Sequence, residues 1–410
     1  MADSIDKSVT DTKTTVEIPG AEEVIQEQKE QIEKVQTEGG PVEIEMDEEG
    51  GAEISFDPNA ASPEGGEDHF SNLAEFLDDG ILSELAQNLS DKYTEYKESR
   101  ADWAQSYREG LDLLGFKYQR RTQPFRGASS VTHPVLAEAV AQFQATAYKE
   151  LLPSDGPVRT QILGDVTAPK QDQANRVKDF MNYQLMDQMK EYEPEFDQML
   201  FYLPLTGSTF KKVYYDDLLG RAVSKFVHSD DLVVPYSATS LEDAEAIVHV
   251  IKMSENELRK QQVSGFYKDI DLGEPPMIEN QTTQKEQELE GVTQNGMEDQ
   301  FTLLEFHMDL DLEGYEDLGE DGEPTGIKIP YIVTLDTANT QILSIRRNYE
   351  AEDKLKKKVN YFVQFKFLPG TGFYGFGLIH MIGGLTRTAT SALRQLLDAG
   401  TLANLPAGFK

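Results

Sequence analysis

The segment from about Gly377 to Ala403 constrains the fold more than any other part of the sequence. Its apolar residues recur at alternating intervals of four and three, which is the pattern of a helix with one packed seam. The seam consists of Leu378, Ile382, Leu385, Ala389, Ala392, Leu396, Ala399 and Ala403. Since a glycine inside a helix costs about 1 kcal/mol relative to alanine, Gly383, Gly384 and Gly400 indicate close packing or a bend. Such a helix suits a wall of packed helices in an oligomer or the core of a monomer, and the periodicity is compatible with both.

A second stripe on this helix is polar. His380, Arg387, Arg394 and Thr401 recur every seven residues, and Asp398 lies one turn after Arg394. The candidate functional residues of the helix are therefore His380, Arg387, Arg394 and Asp398.

The acidic charge of the chain is concentrated in two segments. The formal net charge is −35. Residues 1–68 hold 20 acidic and 4 basic residues, residues 268–326 hold 18 and 2, and residues 327–410 hold 5 and 11. The body outside the two acidic segments is near neutral, and a protein that grips nucleic acid through a basic surface is disfavoured. With one Phe and no Trp or Tyr, residues 1–69 predict a disordered acidic tail, which either binds a basic partner or is simply solvated.

Composition excludes further classes. The chain has no cysteine, so disulfides and cysteine-based zinc sites are ruled out. No window of about 18 apolar residues predicts a membrane span, and no secretory signal opens the sequence.

The hydrophobic periodicity divides the chain into a helical part and a strand-rich part, an α+β fold. Residues 70–206 predict helices, and 207–368 predict an antiparallel sheet interrupted by the acidic insert 268–326, with a long flexible loop at 272–300. The predicted strands lie near 209–215, 221–228, 231–236, 246–253, 301–312, 328–336, 340–347 and 359–367.

Ser129, Ser130, Thr132 and His133 precede a helix that Pro134 is suited to open. They lack a strained elbow and an acidic partner, so we predict that they cap the helix rather than act as a nucleophile.

One acidic segment imitates a calcium loop. Asp309, Asp311, Glu313 and Glu320 occupy the positions of the oxygen ligands around Gly314. Glu313 departs from the pattern, and the segment follows a predicted strand rather than a helix. We therefore expect an acidic loop at the end of a strand, and no metal or other cofactor.

The run Gly370-Thr371-Gly372-Phe373-Tyr374-Gly375 imitates a dinucleotide-binding turn. It lies between a predicted strand and a helix, so a nucleotide-binding enzyme that uses this turn is the alternative function. Such a fold requires a second parallel strand after the helix, whereas the strands here look antiparallel. We expect Gly370, Gly372, Gly375 and Gly377 to form a flexible or sharply bent joint between sheet and helix.

Several motifs, in this order and spacing, resemble the portal (head-to-tail connector) proteins of tailed bacteriophages, of the long type found in short-tailed phages. The resemblance covers roughly residues 70–410 and is clearest across the glycine-rich turn. The motifs are Asp230–Pro235, Met253–Leu258, Ile345–Asn348, Tyr361–Val363, Leu368–Leu378 and Leu397–Asn404.

The resemblance implies a non-enzymatic ring, usually of twelve subunits, at one vertex of the capsid in the virion. Residues 70–368 would form the wing, 369–405 the joint and first stem helix, and 406–410 the start of the clip, so the chain would be the N-terminal portion of a portal. The implied partners are other copies of the chain, duplex DNA passing without sequence specificity, the packaging terminase, and scaffold, major capsid and tail adaptor proteins. Assembly would take place in the cytoplasm of the bacterial host, without a membrane. Arg387 and Arg394 would form charged rings around DNA or pair with Asp398 across subunits. A monomeric scaffolding or structural protein is a further alternative.

Overall fold

The computed structural model describes residues 43–46, 52–55, 69–116, 121–216, 219–273, 281–291, 300–319, 323–370 and 372–404. The chain divides into two compact units, Met1–Ser71 and Asn72–Lys410. In the first unit, strands β1 (Glu43–Met46) and β2 (Ala52–Ser55) pair antiparallel. These strands fall within the predicted disordered tail, residues 1–69, and the remainder of the tail up to residue 68 lies outside the described residues. The start of the clip, 406–410, also lies outside them.

The second unit combines helices with antiparallel sheet, as the sequence predicts. A 3₁₀ turn, Leu73–Glu75, precedes the first helix, and a π-helical turn, Gln184–Gln188, follows the fourth. The α-helices within the described residues are α1 (Asp79–Ser99), α2 (Ala101–Asp112), α3 (Val135–Leu151), α4 (Ala168–Tyr183), α5 (Tyr192–Thr206), α6 (Glu255–Val263), α7 (Gln281–Glu290) and α8 (Leu378–Ala403). None of these described helices is both long and apolar enough to cross a bilayer.

Two sheets form the centre of this unit, and all their strand pairs are antiparallel. The five-stranded sheet has the order β5-β6-β7-β8-β9, and the three-stranded sheet has the order β10-β3-β4. The strands are β3 (Ser208–Asp216), β4 (Arg221–Val227), β5 (Leu232–Val233), β6 (Ala246–Ser254), β7 (Gln300–Leu310), β8 (Ile329–Asp336), β9 (Gln341–Arg347) and β10 (Phe362–Lys366).

A β-bulge explains why β9 breaks the alternation of apolar and polar residues. Leu335 pairs with Ile342, whereas Thr334 pairs with Ser344, so Leu343 is an extra residue in β9. The extra residue places Ile342 and Ile345 in one apolar cluster and Leu343 in another.

The largest apolar cluster lies between α1 and the five-stranded sheet and includes Leu89, Phe306 and Tyr331. A second cluster contains residues of both sheets, among them Phe210 of β3 and Ile247 of β6. A third gathers α2, α3, α5 and α8. Its members include Leu111, Leu136, Leu205 and Ile379.

Two local predictions are corrected: the loop at 272–300, and the end of a helix that the sequence places at about Leu203, before Pro204. The predicted loop 272–300 contains α7, and its residues 274–280 and 292–299 lie outside the described part of the chain. Helix α5 continues past Pro204 to Thr206 and ends at Gly207, whose φ of +91° is left-handed. Because the ring of proline fits a helical φ, Pro204 costs one backbone hydrogen bond without ending the helix.

Candidate functional site: helix α8 and its attachments

The chain enters α8 through a glycine-rich turn that lies directly against the backbone at the end of α5. A Cβ atom on Gly377 would lie 2.3 Å from the carbonyl oxygen of Leu205, and one on Gly375 would lie 2.5 Å from that of Gly207. Gly372 has open space around it. We expected a flexible or sharply bent joint, and close backbone packing explains the glycines at its helix end. The structure assigns no such role to Gly372.

Amide groups of the turn donate hydrogen bonds to other groups of the chain. The Gly375 N–H donates to Ser208 Oγ (2.7 Å), and the Gly377 N–H donates to His380 Nδ1 (3.1 Å). Strand β10, before the turn, pairs antiparallel with β3. A dinucleotide site needs a parallel βαβ unit and free amide groups at the helix start, so the described geometry does not favour the alternative enzyme.

Arg100, at the junction of α1 and α2, links the glycine-rich turn to the segment 229–232 by hydrogen bonds. It is 7% exposed, and its Nη1 donates to the carbonyl oxygens of Ser229 (2.8 Å) and Leu232 (2.9 Å) and to the hydroxyl of Tyr374 (2.9 Å). The ring of Trp103 stacks on Tyr374 at 4.8 Å. Sequence reasoning missed Arg100. Its position inside an aromatic run that contains Trp103 was the available signal, because arginine stacks on aromatic faces.

Helix α8 packs on the body through a face that differs from the predicted seam. Its buried residues are Ile379, Gly383, Thr386, Thr390 and Asp398. A Cβ on Gly383 would lie 3.3 Å from the side chain of Leu113 in α2's C-cap. Of the two packings that the periodicity allows, the one within the subunit is seen near the start of the helix, where Leu378 and Ile382 join the third apolar cluster.

The segment before α3 docks on this buried face through three side chains of α8. Asp398 accepts a hydrogen bond from the Ser129 N–H (2.6 Å), and Thr390 Oγ1 accepts one from the His133 N–H (3.0 Å). Arg394 Nε donates to the Val131 carbonyl (2.6 Å). We call residues 129–133 the docking loop.

The docking loop corrects two predictions. Helix α3 has Pro134 as its N-cap and no side-chain capping bond, so the Ser, Thr and His residues of the loop do not cap it. Burial, followed by the charge of Arg121, lowers the pKa of Arg394, and Asp398 partly offsets this. Arg394 and Asp398 hold the loop within the subunit and are not free to form charged rings or to pair across subunits.

The other two predicted residues lie at the surface. Arg387 pairs with Glu109 of α2 at 3.2 Å, and both side chains are more than half exposed. Pairs of this kind contribute about 0–1 kcal/mol. His380 is exposed on the first turn, where its ring accepts the Gly377 N–H.

A cavity of about 880 Å³ lies between α2, the segment 121–132 and α8. Its charged lining consists of Arg121, Arg387, Arg394, Glu109, Asp112 and Asp398. Bases and acids are equal in number, and pairs such as Arg387–Glu109 and Lys285–Asp112 (2.7 Å) already join them to partners. The cavity therefore offers no excess charge for an ionic ligand.

The remainder of the predicted seam is uncovered. Leu385 is 68% exposed and Leu396 is 71% exposed. Ala392, Ala399 and Ala403 are exposed with them, on the same side of the helix. We call these five residues the open seam. It gives α8 a second, apolar packing surface of short side chains that the described residues of the chain leave free.

The imitation of a calcium loop is not assembled among the described residues. Asp309 is in β7 opposite Pro330, and Asp311 and Glu313 follow it in a turn. Glu320 lies outside the described residues. Within the described residues, no group of three His, Asp or Glu side chains is placed to hold a metal ion.

No model of a protein family matches the chain, and no curated protein is significantly similar to it.

Proposed function

We propose that the chain is a ring-forming structural subunit of the portal type, in which α8 is a stem helix and neighbouring copies cover its open seam. The open seam is the observation that carries the proposal. Full burial of a leucine stabilises an assembly by about 1.5–3 kcal/mol, and Leu385 and Leu396 are both largely exposed. The three alanines between and beyond them allow another helix to approach closely.

The position of the open seam leaves it available to a neighbouring copy. One face of α8 packs on the body through Thr386 and Thr390, and the open seam lies on nearly the opposite side of the helix. A neighbour that covers the seam with a different surface makes a head-to-tail contact, and such contacts close into rings when the rotation permits.

We propose that an uncharged side of α8 faces the channel. With 100° between successive residues, Thr388, Ser391 and Gln395 form an exposed, uncharged stripe next to the open seam. This stripe would replace Arg394 and Asp398, which hold the docking loop, as the channel surface. Uncharged side chains release no counterions from phosphate, so duplex DNA would pass without being held and without sequence specificity.

On this proposal the ring lies at the portal vertex of the virion. It binds other copies of itself, and it meets the packaging terminase, the scaffold and major capsid proteins, and the tail adaptor. The reaction chemistry of packaging belongs to the terminase. The role of this chain is to position the terminase and to let DNA pass.

The proposal is tested with charges placed on the open seam. Leu385→Asp/Leu396→Asp would put two carboxylates where the neighbour packs, and Leu219→Asp/Leu355→Asp is the matched control on two other exposed leucines. Sedimentation and native mass spectrometry should show the control assembled like the wild type and the seam variant as a monomer of about 46.0 kDa. A wild-type chain that is monomeric would support the alternative of a monomeric scaffolding protein, and equal assembly of both variants would refute the role of the seam.

A further inference from the structure

Helix α4 and the segment before it stand away from the core. Helix α4 contains no buried residue. Phe180 is 58% exposed, Val177 44% and Met181 42%, and Leu163 in the preceding segment is 87% exposed. We call residues 157–183 the α4 arm.

The hydrogen bonds of the arm's own side chains run mainly within the arm. Asn182 Oδ1 accepts the Val158 N–H (2.9 Å), and Thr160 Oγ1 donates to the Ala174 carbonyl (3.1 Å). The arm is therefore a hairpin of an extended segment and a helix that is tied to itself. Its apolar residues, at spacings of three and four, form a stripe on one side of the helix that belongs to none of the apolar clusters of the described residues.

A helix of this length is stable only when its apolar face is packed against another surface. Isolated helices shorter than about 12–15 residues are marginal in water even for alanine-rich sequences, and α4, at 16 residues, lies close to that limit. Most helical stability in proteins comes from packing an apolar face. Since the described part of the chain leaves Val177, Phe180 and Met181 exposed, we expect another molecule to cover them.

The charge of the arm favours a near-neutral partner. Residues 157–183 hold four bases and three acids, so neither DNA nor an acidic peptide finds a basic surface here. The body of the chain outside its two acidic segments is itself near neutral. A second copy of this chain fits that requirement.

The area of the open seam points to the same partner. A stable interface buries about 800 Å² on each side, and the open seam consists of two leucines and three alanines, too little for that area. The α4 arm supplies aromatic and methionine side chains, which are enriched at the centre of interfaces. A contact that joins the arm of one copy to the seam of the next extends round a ring when it is head-to-tail.

We propose that the α4 arm packs against a neighbouring copy of this chain and forms a second self-interface beside the open seam. The inference rests on the proposed ring function. It assigns the arm a partner, and it predicts that α4 becomes buried when the chain assembles.

The test compares two variants of the same helix. Val177→Asp/Phe180→Asp charges the apolar stripe, and Gln173→Asp/Asn175→Asp adds the same charge at exposed polar positions. Sedimentation over a dilution series should show subunit association at least 10-fold weaker in the stripe variant, with the control close to the wild type. Circular dichroism of each variant verifies that the fold is kept.

A second measurement leaves the apolar stripe almost intact. The chain has no cysteine, so Met181→Cys provides a single site for a polarity-sensitive dye. On assembly the dye emission should shift to the blue, and dilution to monomer should reverse the shift. An emission that does not change while the mass does would overturn the inference.

The outcomes separate the inference from the function on which it rests. If the seam variant dissociates and the arm variant assembles like the wild type, the arm inference is wrong and the ring proposal stands. If the arm variant dissociates and the seam variant does not, the arm inference holds and the proposed stem role of α8 fails. A wild-type chain that is monomeric at every concentration refutes both.

Discussion

The five-stranded sheet and helix α8 use their apolar residues in opposite ways. Seven of the eight residues of β8 are buried, whereas five of the 26 residues of α8 are buried. The sheet is thus complete inside one subunit, since its neighbours in the chain cover both faces. Helix α8 displays leucine and small residues outward, and the α4 arm displays Val177, Phe180 and Met181. The difference separates the part of the molecule that makes the subunit stable from the part that we expect to make it assemble.

The sheet region also contains a buried network of charged groups. Lys212 Nζ of β3 lies 2.5 Å from Glu305 Oε1 of β7, and His307 Nε2 lies 2.6 Å from the same oxygen. Burial alone would raise the pKa of Glu305, but Lys212 and His307 outweigh it and hold that pKa well below its ordinary value. Burial lowers the pKa of nearby His249 to about 3, so that ring is neutral. This network joins the two sheets within the subunit.

The largest effect is expected from Glu305→Leu. The substitution leaves the ammonium group of Lys212 buried without its partner, so the free energy of unfolding in urea should fall by about 3–5 kcal/mol. The control is Lys212→Met/Glu305→Leu, which removes both charges and should recover most of the loss. A loss below about 1 kcal/mol in the single variant would show that the network does not stabilise the junction of the sheets.

The second prediction concerns α7, the helix of the acidic insert. The Tyr107 hydroxyl donates to Glu286 Oε1 at 2.9 Å. Burial raises the pKa of Glu286 from 4.5 to about 7, and the charges of Asp230 and Asp231 add to the rise. Because the folded chain holds this proton more tightly than the unfolded chain, the contribution is complete below pH 4.5 and is lost as the pH rises towards 7.

The corresponding experiment compares the wild type with Glu286→Gln between pH 4.5 and 7.5. The wild type should lose up to about 3 kcal/mol of unfolding free energy relative to the variant across this window. Parallel stability curves would contradict the buried position of the carboxyl group. The comparison with the variant is needed because buried His228, whose pKa burial lowers to about 4, acts in the opposite direction.

The joint between sheet and helix gives a smaller effect. Gly377→Ala forces a methyl group against the Leu205 carbonyl and should destabilise the fold by about 1–3 kcal/mol. Gly372→Ala, which meets open space, is the control and should be nearly neutral. Equal thermal midpoints for the two variants would mean that the joint is looser than its contacts indicate.

The docking loop should give the smallest effect on stability. Thr390→Val removes the acceptor of the His133 N–H and should cost about 1–2 kcal/mol. The exposed neighbour Thr388, whose hydroxyl bonds only back to the Gly384 carbonyl among the hydrogen bonds described, provides the control Thr388→Val, with an expected change within about 0.5 kcal/mol. Faster amide exchange of the docking loop in the first variant alone would confirm the attachment, and no difference between the variants would refute it.

The sequence predicted most of the elements because their signals were local. The extent of α8 and the antiparallel strands β3 and β4 are confirmed. The β-bulge at Leu343 could not be predicted, since it depends on the pairing with β8 rather than on the residues of β9.

The packed face of α8 was less accessible to prediction. Thr390 and Asp398 accept hydrogen bonds from a loop about 260 residues away in sequence, and the Thr386 hydroxyl bonds back to the Ile382 carbonyl. Hydropathy does not mark such polar residues as a packing surface. The sequence identified the apolar seam, but its periodicity did not show that most of the seam is exposed. Helix α7 was missed for a related reason: its sequence is polar, and few of its residues, such as Glu286 and Leu289, contact the body.

The most direct test of the comparison is the native mass of the wild-type chain over a range of concentrations. If helix α8 is completed by a neighbour, the chain should form one closed assembly with a mass that is a fixed multiple of 46.0 kDa, and electron micrographs should show rings. A mass of 46.0 kDa at every concentration would contradict the account, because the open seam would then be exposed in the finished molecule.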